Sequence, residues 1–182
     1  MGRSFTGLVV LLPELEPVVG EWRAQYDATY FGLPAHVTVV APWIPPDQLT
    51  DSDLDAVAQL VKSWQPFEVS FGTFGQFENH DAFDVHYLAP EPADHFLGLI
   101  DDICAVWPEY EPYEGVFNDV IPHLTVSTTA KPKRAAKIRE EIEPKLPVQT
   151  MAAELSVVQI VDDRYSLVRS FPLGGKKKKK KG

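Results

Sequence analysis

A short segment of the form His-x-Thr-Val occurs twice in this 182-residue chain, at His36 to Val39 and at His123 to Val126. In each copy an aliphatic residue separates the histidine from the threonine, a pattern typical of a β-strand. Residues two apart in a strand point to the same face, about 6.6 Å apart along the backbone. Each histidine is therefore expected to share one strand face with its threonine.

The hydrophobic pattern around these segments predicts further strands and helices. Each half of the chain is expected to hold one His-x-Thr strand followed by a helix and a pair of strands, as in an internal repeat with a pseudo-twofold axis. The closing pair turns at Asp162 and Asp163. Strands are predicted at residues 5–12, 34–40, 67–74, 83–88, 121–127, 155–161 and 165–171, and helices from near residue 15, at 47–64, at 92–107 and at 132–142.

The composition indicates one globular domain with a basic tail. Residues 1–173 are expected to form a single bilobal domain, whereas residues 174–182 read as a Gly-Gly poly-Lys tag that is expected to be disordered. Six of the 17 basic residues belong to this tail, so 11 remain against 26 acidic residues, a net charge of −15. Such an acidic body repels polyanions, which argues against broad nucleic-acid binding and favours a small substrate.

Cysteine content and hydropathy narrow the class of protein further. Cys104, the single cysteine, excludes an internal disulfide and a multi-cysteine metal site. The apolar run from Leu8 to Leu12 is too short for a signal-peptide core, and no stretch approaches the roughly 18 apolar residues of a membrane span. We therefore expect a cytoplasmic monomer with no membrane contact.

Two imidazoles and two hydroxyls converge on one cleft floor if the two motif strands are pseudosymmetric partners. The hydroxyls of Thr38 and Thr125 then donate to phosphate oxygens, while one imidazole takes a proton from the nucleophile and the other protonates the leaving oxygen. His36 and His123 are thus predicted to be catalytic. No metal or other cofactor is expected, because a catalytic zinc usually takes at least three protein ligands.

A purely structural origin of the two pairs is the main alternative, because a strand histidine is often only a hydrogen-bonded residue at a sheet edge. With nine threonines in 182 residues, the chance that two of five histidines have Thr two positions later is roughly one in forty. The repetition therefore favours function. His80, His86 and His95 have no such threonine and are expected to be structural or surface residues.

The wider segments GLPAHVTVVAPW and DVIPHLTVSTT resemble the two signature motifs of the 2H phosphoesterase superfamily, which includes 2'-5' RNA ligases and cyclic phosphodiesterases. The motif histidines are 87 residues apart, and the resemblance extends through VHYLAPEP and the closing RYSLVRSFPL. It implies an α+β, bilobal fold in which two antiparallel sheets form a concave cleft with helices outside. It also implies metal-independent hydrolysis of a 2',3'-cyclic or related cyclic phosphodiester, or of a 2'-5' linkage. Microscopic reversibility adds weak 2'-5' RNA ligation.

Two aromatic residues are secondary candidates for substrate contacts. Trp43, just past the first motif, either stacks on a base or packs against a sheet. Tyr165 and Arg164 point to opposite faces of the closing hairpin, and Tyr165 is favoured as the residue nearer the cleft. Many RNA-directed members carry an arginine shortly after the second motif, whereas the next basic residue here is Lys131. A mononucleotide or an RNA-end cyclic phosphate is therefore favoured over a long RNA.

Two other functions remain open at this point. The same cleft would serve a binding module that holds a phosphorylated nucleotide without turnover, or a specialised small-molecule pathway enzyme on the same scaffold. The presence of both complete pairs favours catalysis. The cluster of Lys131, Lys133 and Arg134 at a helix start either attracts an anion or is simply solvated, and solvation is favoured.

Overall fold

The computed structural model describes residues 2–78, 84–112, 120–129 and 131–174. Strands and helices alternate along most of this length, and short 3-10 turns follow β1, α2 and α4. The strands are β1 (Phe5–Leu11), β2 (His36–Val40), β3 (Phe67–Phe77), β4 (Asp84–Glu91), β5 (Leu124–Thr129), β6 (Val148–Ala152), β7 (Glu154–Val161) and β8 (Arg164–Pro172), and the α-helices are α1 (Glu16–Tyr26), α2 (Asp51–Leu60), α3 (Asp94–Val106) and α4 (Pro132–Ile142).

The strands form two four-stranded antiparallel sheets, in the orders β2-β1-β7-β8 and β5-β4-β3-β6. The two motif strands, β2 and β5, therefore occupy corresponding edge positions. Helix α1 connects β1 to β2 and packs on β5, while α3 connects β4 to β5 and packs on β2. The predicted α+β, bilobal, pseudo-twofold fold is confirmed.

Alternation within the motif strands follows the two-residue period. Val37, Val39, Leu124 and Val126 are at most 1% exposed and belong to the shared hydrophobic core. Burying each of these side chains stabilises the fold by about 1.5–3 kcal/mol. The intervening histidines and threonines keep part of their surface accessible, so core burial fixes which face of each strand carries the polar groups.

Each motif strand is followed along the chain by a helix and then by further strands, as expected, but the strand pair of each half lies in the sheet of the other motif. Strands β3 and β4 follow the first motif but lie in the sheet of β5, and β7 and β8 follow the second motif but lie in the sheet of β2. Strand β6 was not predicted, and it pairs with β3 through Phe67 and Ala152. It is a short edge strand of mixed polarity preceded by Pro147, which explains its weak hydrophobic signal.

Two helices begin later than the sequence pattern predicts. Helix α2 begins at Asp51 because Thr50 caps it: the Thr50 hydroxyl accepts from the Asp53 amide, and the Asp53 carboxylate accepts from the Thr50 amide. Helix α3 likewise begins at Asp94 rather than at residue 92. The predicted span of α4 is confirmed at both ends.

The closing hairpin turns as predicted, since Asp162 and Asp163 both have positive φ, 50° and 59°. Strand β4 is described from Asp84, so its predicted start at Phe83 and most of the turn before it lie outside the described residues. The same holds for the predicted tag beyond Gly174. Across the described ranges, no helix is long and apolar enough to cross a membrane.

Candidate functional site

His36, Thr38, His123 and Thr125 line one cavity of about 660 Å³ between the two sheets. Strand β2 contributes the first pair through its pairing with β1, in which Thr38 lies opposite Val9. Strand β5 contributes Thr125, which lies opposite Tyr87, and His123 immediately precedes that strand. The four side chains predicted from the sequence are therefore together in space.

Both histidines are held by the same backbone contact. Nδ1 of His36 lies 2.7 Å from the carbonyl oxygen of Pro34, and Nδ1 of His123 lies 2.7 Å from that of Ile121. A carbonyl oxygen only accepts, so each Nδ1 carries the proton and donates it. Nε2 is then the ring nitrogen that exchanges a proton in each neutral imidazole.

Burial disfavours the doubly protonated, positively charged form of both imidazoles. Desolvation and, next, the charge of Arg23 lower the pKa of His36 to about 3, against a smaller raising effect of the Pro34 carbonyl. Desolvation also lowers the pKa of His123, and the Ile121 carbonyl opposes it. His36 and His123 interact electrostatically, so the cavity disfavours protonation of both at once.

Aromatic side chains surround His123. The Phe77 ring meets the imidazole edge-on at 5.0 Å, and the Tyr87 ring lies 5.4 Å away. Phe77 and Tyr87 stack on each other at 4.2 Å. Gly75 makes this arrangement possible, because a Cβ there would overlap the Tyr87 ring. The imidazole orientation at this motif thus depends on packing from β3 and β4.

An ion-pair network lies next to His36. Arg23 is 1% exposed, and its guanidinium lies 3.7 Å from the Glu16 carboxylate and 3.8 Å from that of Asp27. Arg23 Nη1 also donates to the carbonyl oxygen of Leu33 at 2.9 Å. Asp27 in turn accepts from both the amide and the hydroxyl of Thr29. Sequence reasoning missed this network, for which the i,i+4 spacing of Arg23 and Asp27 is the available signal.

Four further polar residues line the cavity wall and were not predicted to be there: Arg3, Ser4, Asp27 and Thr29. Asp27 and Thr29 enter through the segment after α1, and Arg3 enters from just before β1. The Arg3 guanidinium lies over the Phe31 ring at 5.6 Å, and its amide donates to Asp163 at the hairpin turn. A cation is thus added to a cavity whose other wall residues are largely apolar, including Val9, Leu33, Val158 and Ile160.

The two aromatic candidates lie apart from the four polar side chains. Trp43 is 2% exposed and packs edge-on against Trp107 at 5.1 Å, which favours packing over stacking on a base. Tyr165 packs with Val9, Leu33 and Val158, on the face opposite to exposed Arg164. It supports cavity-lining residues without lining the cavity itself.

The other singled-out residues also lie away from the cavity. Lys131 and Lys133 are exposed, while Arg134 stacks over the Tyr26 ring at 4.3 Å. His95 is exposed and stacks on Phe67. His86 is buried, and burial lowers its pKa. His80 lies outside the described residues.

Metal-ligating side chains do not cluster in the described part of the chain. No group of three or more His, Cys, Asp or Glu side chains there comes together in a geometry that would hold an ion. The cavity lining itself offers two imidazoles, three threonine hydroxyls, the Asp27 carboxylate and the Arg3 guanidinium.

The fold and the paired His/Thr strands place this protein in the 2H phosphoesterase superfamily. The sequence model of the 2'-5' RNA ligase superfamily matches residues 11–164, and the chain belongs to that family. A Bacillus licheniformis protein named "Putative phosphoesterase" is 24% identical over 126 residues, covering 65% of this chain and 68% of its own length. A Bacillus pumilus protein of the same name is 25% identical over 122 residues, covering 65% and 67%.

Solved structures show the same fold. The protein TT0787 of Thermus thermophilus superposes with a TM-score of 0.65 at 18% identity, covering 96% of this chain and 100% of its own. Escherichia coli LigT complexed with 3'-AMP gives a TM-score of 0.58 at 15% identity, covering 95% and 99%. At these identities the likeness establishes the architecture alone.

Proposed function

We propose that this protein hydrolyses a 2',3'-cyclic or closely related nucleotide phosphodiester by acid-base catalysis between His36 and His123. One observation carries the proposal: both histidines and both motif threonines line the same cavity. Family membership supports phosphoesterase chemistry, and a related fold in E. coli LigT has been solved with 3'-AMP. A binding module needs hydroxyls and a cation for phosphate, but it does not need two imidazoles.

The contacts of the two histidines suit proton transfer. Because Nδ1 of each ring is held by a backbone carbonyl, each Nε2 is fixed as the site of proton exchange. One Nε2 takes a proton from water as the water oxygen bonds to phosphorus. The other Nε2 gives a proton to the ribose oxygen as its bond to phosphorus breaks.

The hydroxyl groups and Arg3 suit the phosphate itself. Thr38 and Thr125 stand one on each motif strand, so their hydroxyls would donate to the two non-bridging oxygens, where charge builds up in the transition state. Arg3 would add a positive charge at the same cavity wall. The apolar wall residues would then contact the sugar and base, and a mononucleotide or a short RNA end is a substrate of suitable size.

Incubation of protein lacking residues 174–182 with a panel of nucleoside 2',3'-cyclic phosphates in EDTA tests the proposal. Removing the six lysines matters because they would add an artificial affinity for phosphate. We expect nucleoside monophosphate to form, with kcat/KM reduced by about 10²–10⁴-fold in His36→Ala and in His123→Ala.

His95→Ala is the matched control, because His95 is exposed and packs on Phe67 away from the cavity. Its activity should equal that of wild type. If wild type forms no more product than the double variant His36→Ala, His123→Ala, the protein is not this hydrolase. Saturable binding of the nucleotides without product would then identify a binding module.

A further inference from the structure

We propose that a basic patch beside the cavity binds the phosphate backbone of a short single-stranded RNA whose 3' end occupies the cavity. The patch consists of Lys131, Lys133, Arg134 and Lys137, at the start of α4. This inference rests on the proposed hydrolysis and narrows its substrate to an RNA end that is closed as a cyclic phosphate, in preference to a free mononucleotide.

The distribution of charge along the chain sets this segment apart. Residues 131–139, with the sequence KPKRAAKIR, hold five of the 11 basic residues that precede the lysine tail and no acidic residue. Six basic residues therefore remain elsewhere, against 26 acidic residues. Most of the protein repels a polyanion, whereas this segment attracts one. An RNA bound here is held over a few phosphates and not along the whole surface.

Ion pairing leaves most of the charge of the patch available. Lys137 lies 3.8 Å from the Glu141 carboxylate. Lys131, Lys133 and Arg134 belong to none of the ion pairs found among the described residues, and both of these lysines are exposed. Three positive charges can therefore meet phosphate oxygens without first leaving a carboxylate.

Aromatic rings of α1 hold two of the cations in place. The Arg134 guanidinium lies 4.3 Å from the centre of the Tyr26 ring, and Lys137 Nζ lies 6.0 Å from that of Trp22. These two rings stack on each other at 5.9 Å. Cation–π contacts reduce the side-chain freedom that is lost when a phosphate binds. Because the cations already lie over the rings, we expect contacts to phosphates and no dependence on base sequence.

Helix α1 connects the patch to the cavity. Trp22 and Tyr26, one turn apart, are half-buried beneath the cations, whereas Arg23 and Asp27, each one position later, are buried. Asp27 lines the cavity. The residue whose ring lies under Arg134 is therefore the immediate neighbour of a cavity-wall residue.

Strand β5 makes a second connection. Thr125 of this strand lines the cavity, and Lys131 caps α4 just after the strand ends. The Thr128 hydroxyl accepts from the amide of Ala28 at 2.7 Å and donates to the carbonyl oxygen of Tyr26 at 3.2 Å. These bonds fasten β5 to the end of α1. An RNA chain that leaves the cavity past this junction meets the basic patch next.

Fluorescence anisotropy with a labelled single-stranded hexanucleotide carrying a 3'-phosphate tests the patch without turnover, on protein lacking residues 174–182. Each phosphate contact to a single strand contributes about 0.7 to the slope of log Kd against log salt concentration, so three contacts give a slope of about 2. The double variant Lys131→Gln, Lys133→Gln should bind about tenfold more weakly or worse at low salt, with a slope below about 1.

The matched control is the double variant Lys62→Gln, Lys145→Gln, which removes the same charge from two exposed lysines outside the patch. It should bind the hexanucleotide like wild type. Arg134→Gln should weaken binding and Arg134→Lys should restore most of it, with thermal unfolding as the check on folding. Equal loss in the two double variants would overturn the patch as the binding site, and so would wild-type binding no tighter than that of a nucleoside 3'-monophosphate.

Kinetics then connects the patch to the substrate. The readout is the ratio of kcat/KM for a hexanucleotide ending in a 2',3'-cyclic phosphate to kcat/KM for a nucleoside 2',3'-cyclic phosphate. At low salt this ratio should be about ten or higher in wild type and in the control variant, and should fall toward one in Lys131→Gln, Lys133→Gln. A wild-type ratio near one overturns the narrowed substrate. Absence of turnover of both compounds instead rejects the proposed hydrolysis, and the anisotropy measurement still decides whether the patch binds RNA.

Discussion

Nδ1 of His36 donates to the carbonyl oxygen of Pro34 at 2.7 Å, a contact within the chain segment that enters the motif strand. His123 repeats it with Ile121 at the same distance. The hydrogen bond to the residue two positions earlier sets the tautomer of each imidazole, because the carbonyl oxygen only accepts. This relationship turns two sequence motifs into two defined proton-transfer groups and leads to the predictions below.

The hydroxyl groups of Thr38 and Thr125 are expected to stabilise the transition state. Thr38→Val and Thr125→Val keep the shape of the side chain but remove the donor, so kcat should fall by about 10²-fold in each. Thr38→Ser and Thr125→Ser keep the hydroxyl and are the matched controls, with activity within a few-fold of wild type. Steady-state kinetics on a cyclic nucleotide measures both. A valine variant as active as its serine control contradicts the role.

The activity should decline toward alkaline pH. Catalysis needs one neutral and one protonated imidazole, and the pKa values of His36, about 3, and His123 both lie below 6.5. Above that pH both rings are mostly neutral and the protonated fraction falls about tenfold per pH unit, so kcat/KM should fall by about tenfold per pH unit. The profile is obtained by measuring kcat/KM from about pH 5 to about pH 9, roughly two pH units on either side of neutrality. A kcat/KM that rises from pH 6.5 to 8 contradicts this prediction.

Stability should decline toward acidic pH. Burial lowers the pKa values of His36, His86 and His123 in the folded protein, whereas an unfolded chain binds those protons near pH ~6.5. Below that pH the unfolded state binds more protons, so the free energy of unfolding falls as pH falls. Each histidine contributes up to about 1.4 kcal/mol per pH unit.

Urea unfolding at several pH values between neutrality and the acid range measures this effect. His86→Leu is an informative variant, because Nε2 of His86 is buried with no hydrogen-bond partner among the described residues and the histidine takes no part in the proposed chemistry. Its unfolding free energy should depend less steeply on pH than that of wild type. Equal slopes would show that His86 is not one of the groups responsible.

Trp43 should matter for stability rather than for recognition of a base. Trp43→Ala removes a buried side chain that packs on Trp107, so the free energy of unfolding should fall by about 3–5 kcal/mol. Trp43→Phe retains much of the packing and should lose less. The KM values for purine and pyrimidine nucleotides should change in parallel. They are measured under conditions in which the variants are folded. A selective rise for one base class would contradict a packing role.

Much of the fold was predictable because its signals are local. The alternation of polar and apolar residues in β2 and β5 is a two-residue period, and the apolar face of each strand must be buried. The start of helix α4 was predicted correctly, and Pro132 favours a first helical turn. The late start of α2 was missed because the capping box of Thr50 and Asp53 was not recognised, although the signal is present in the sequence.

The sequence by itself determined that His36 shares a strand face with Thr38, and Thr125 with His123, because strand geometry depends only on neighbouring residues. Tertiary structure alone decided that Trp43 is buried, that Arg3 reaches the cavity wall, and that β3 and β4 join the sheet of β5. It also brought Arg23 beside His36. These outcomes depend on contacts between segments far apart in the chain, and a local pattern carries no information about which distant segment will supply a neighbour.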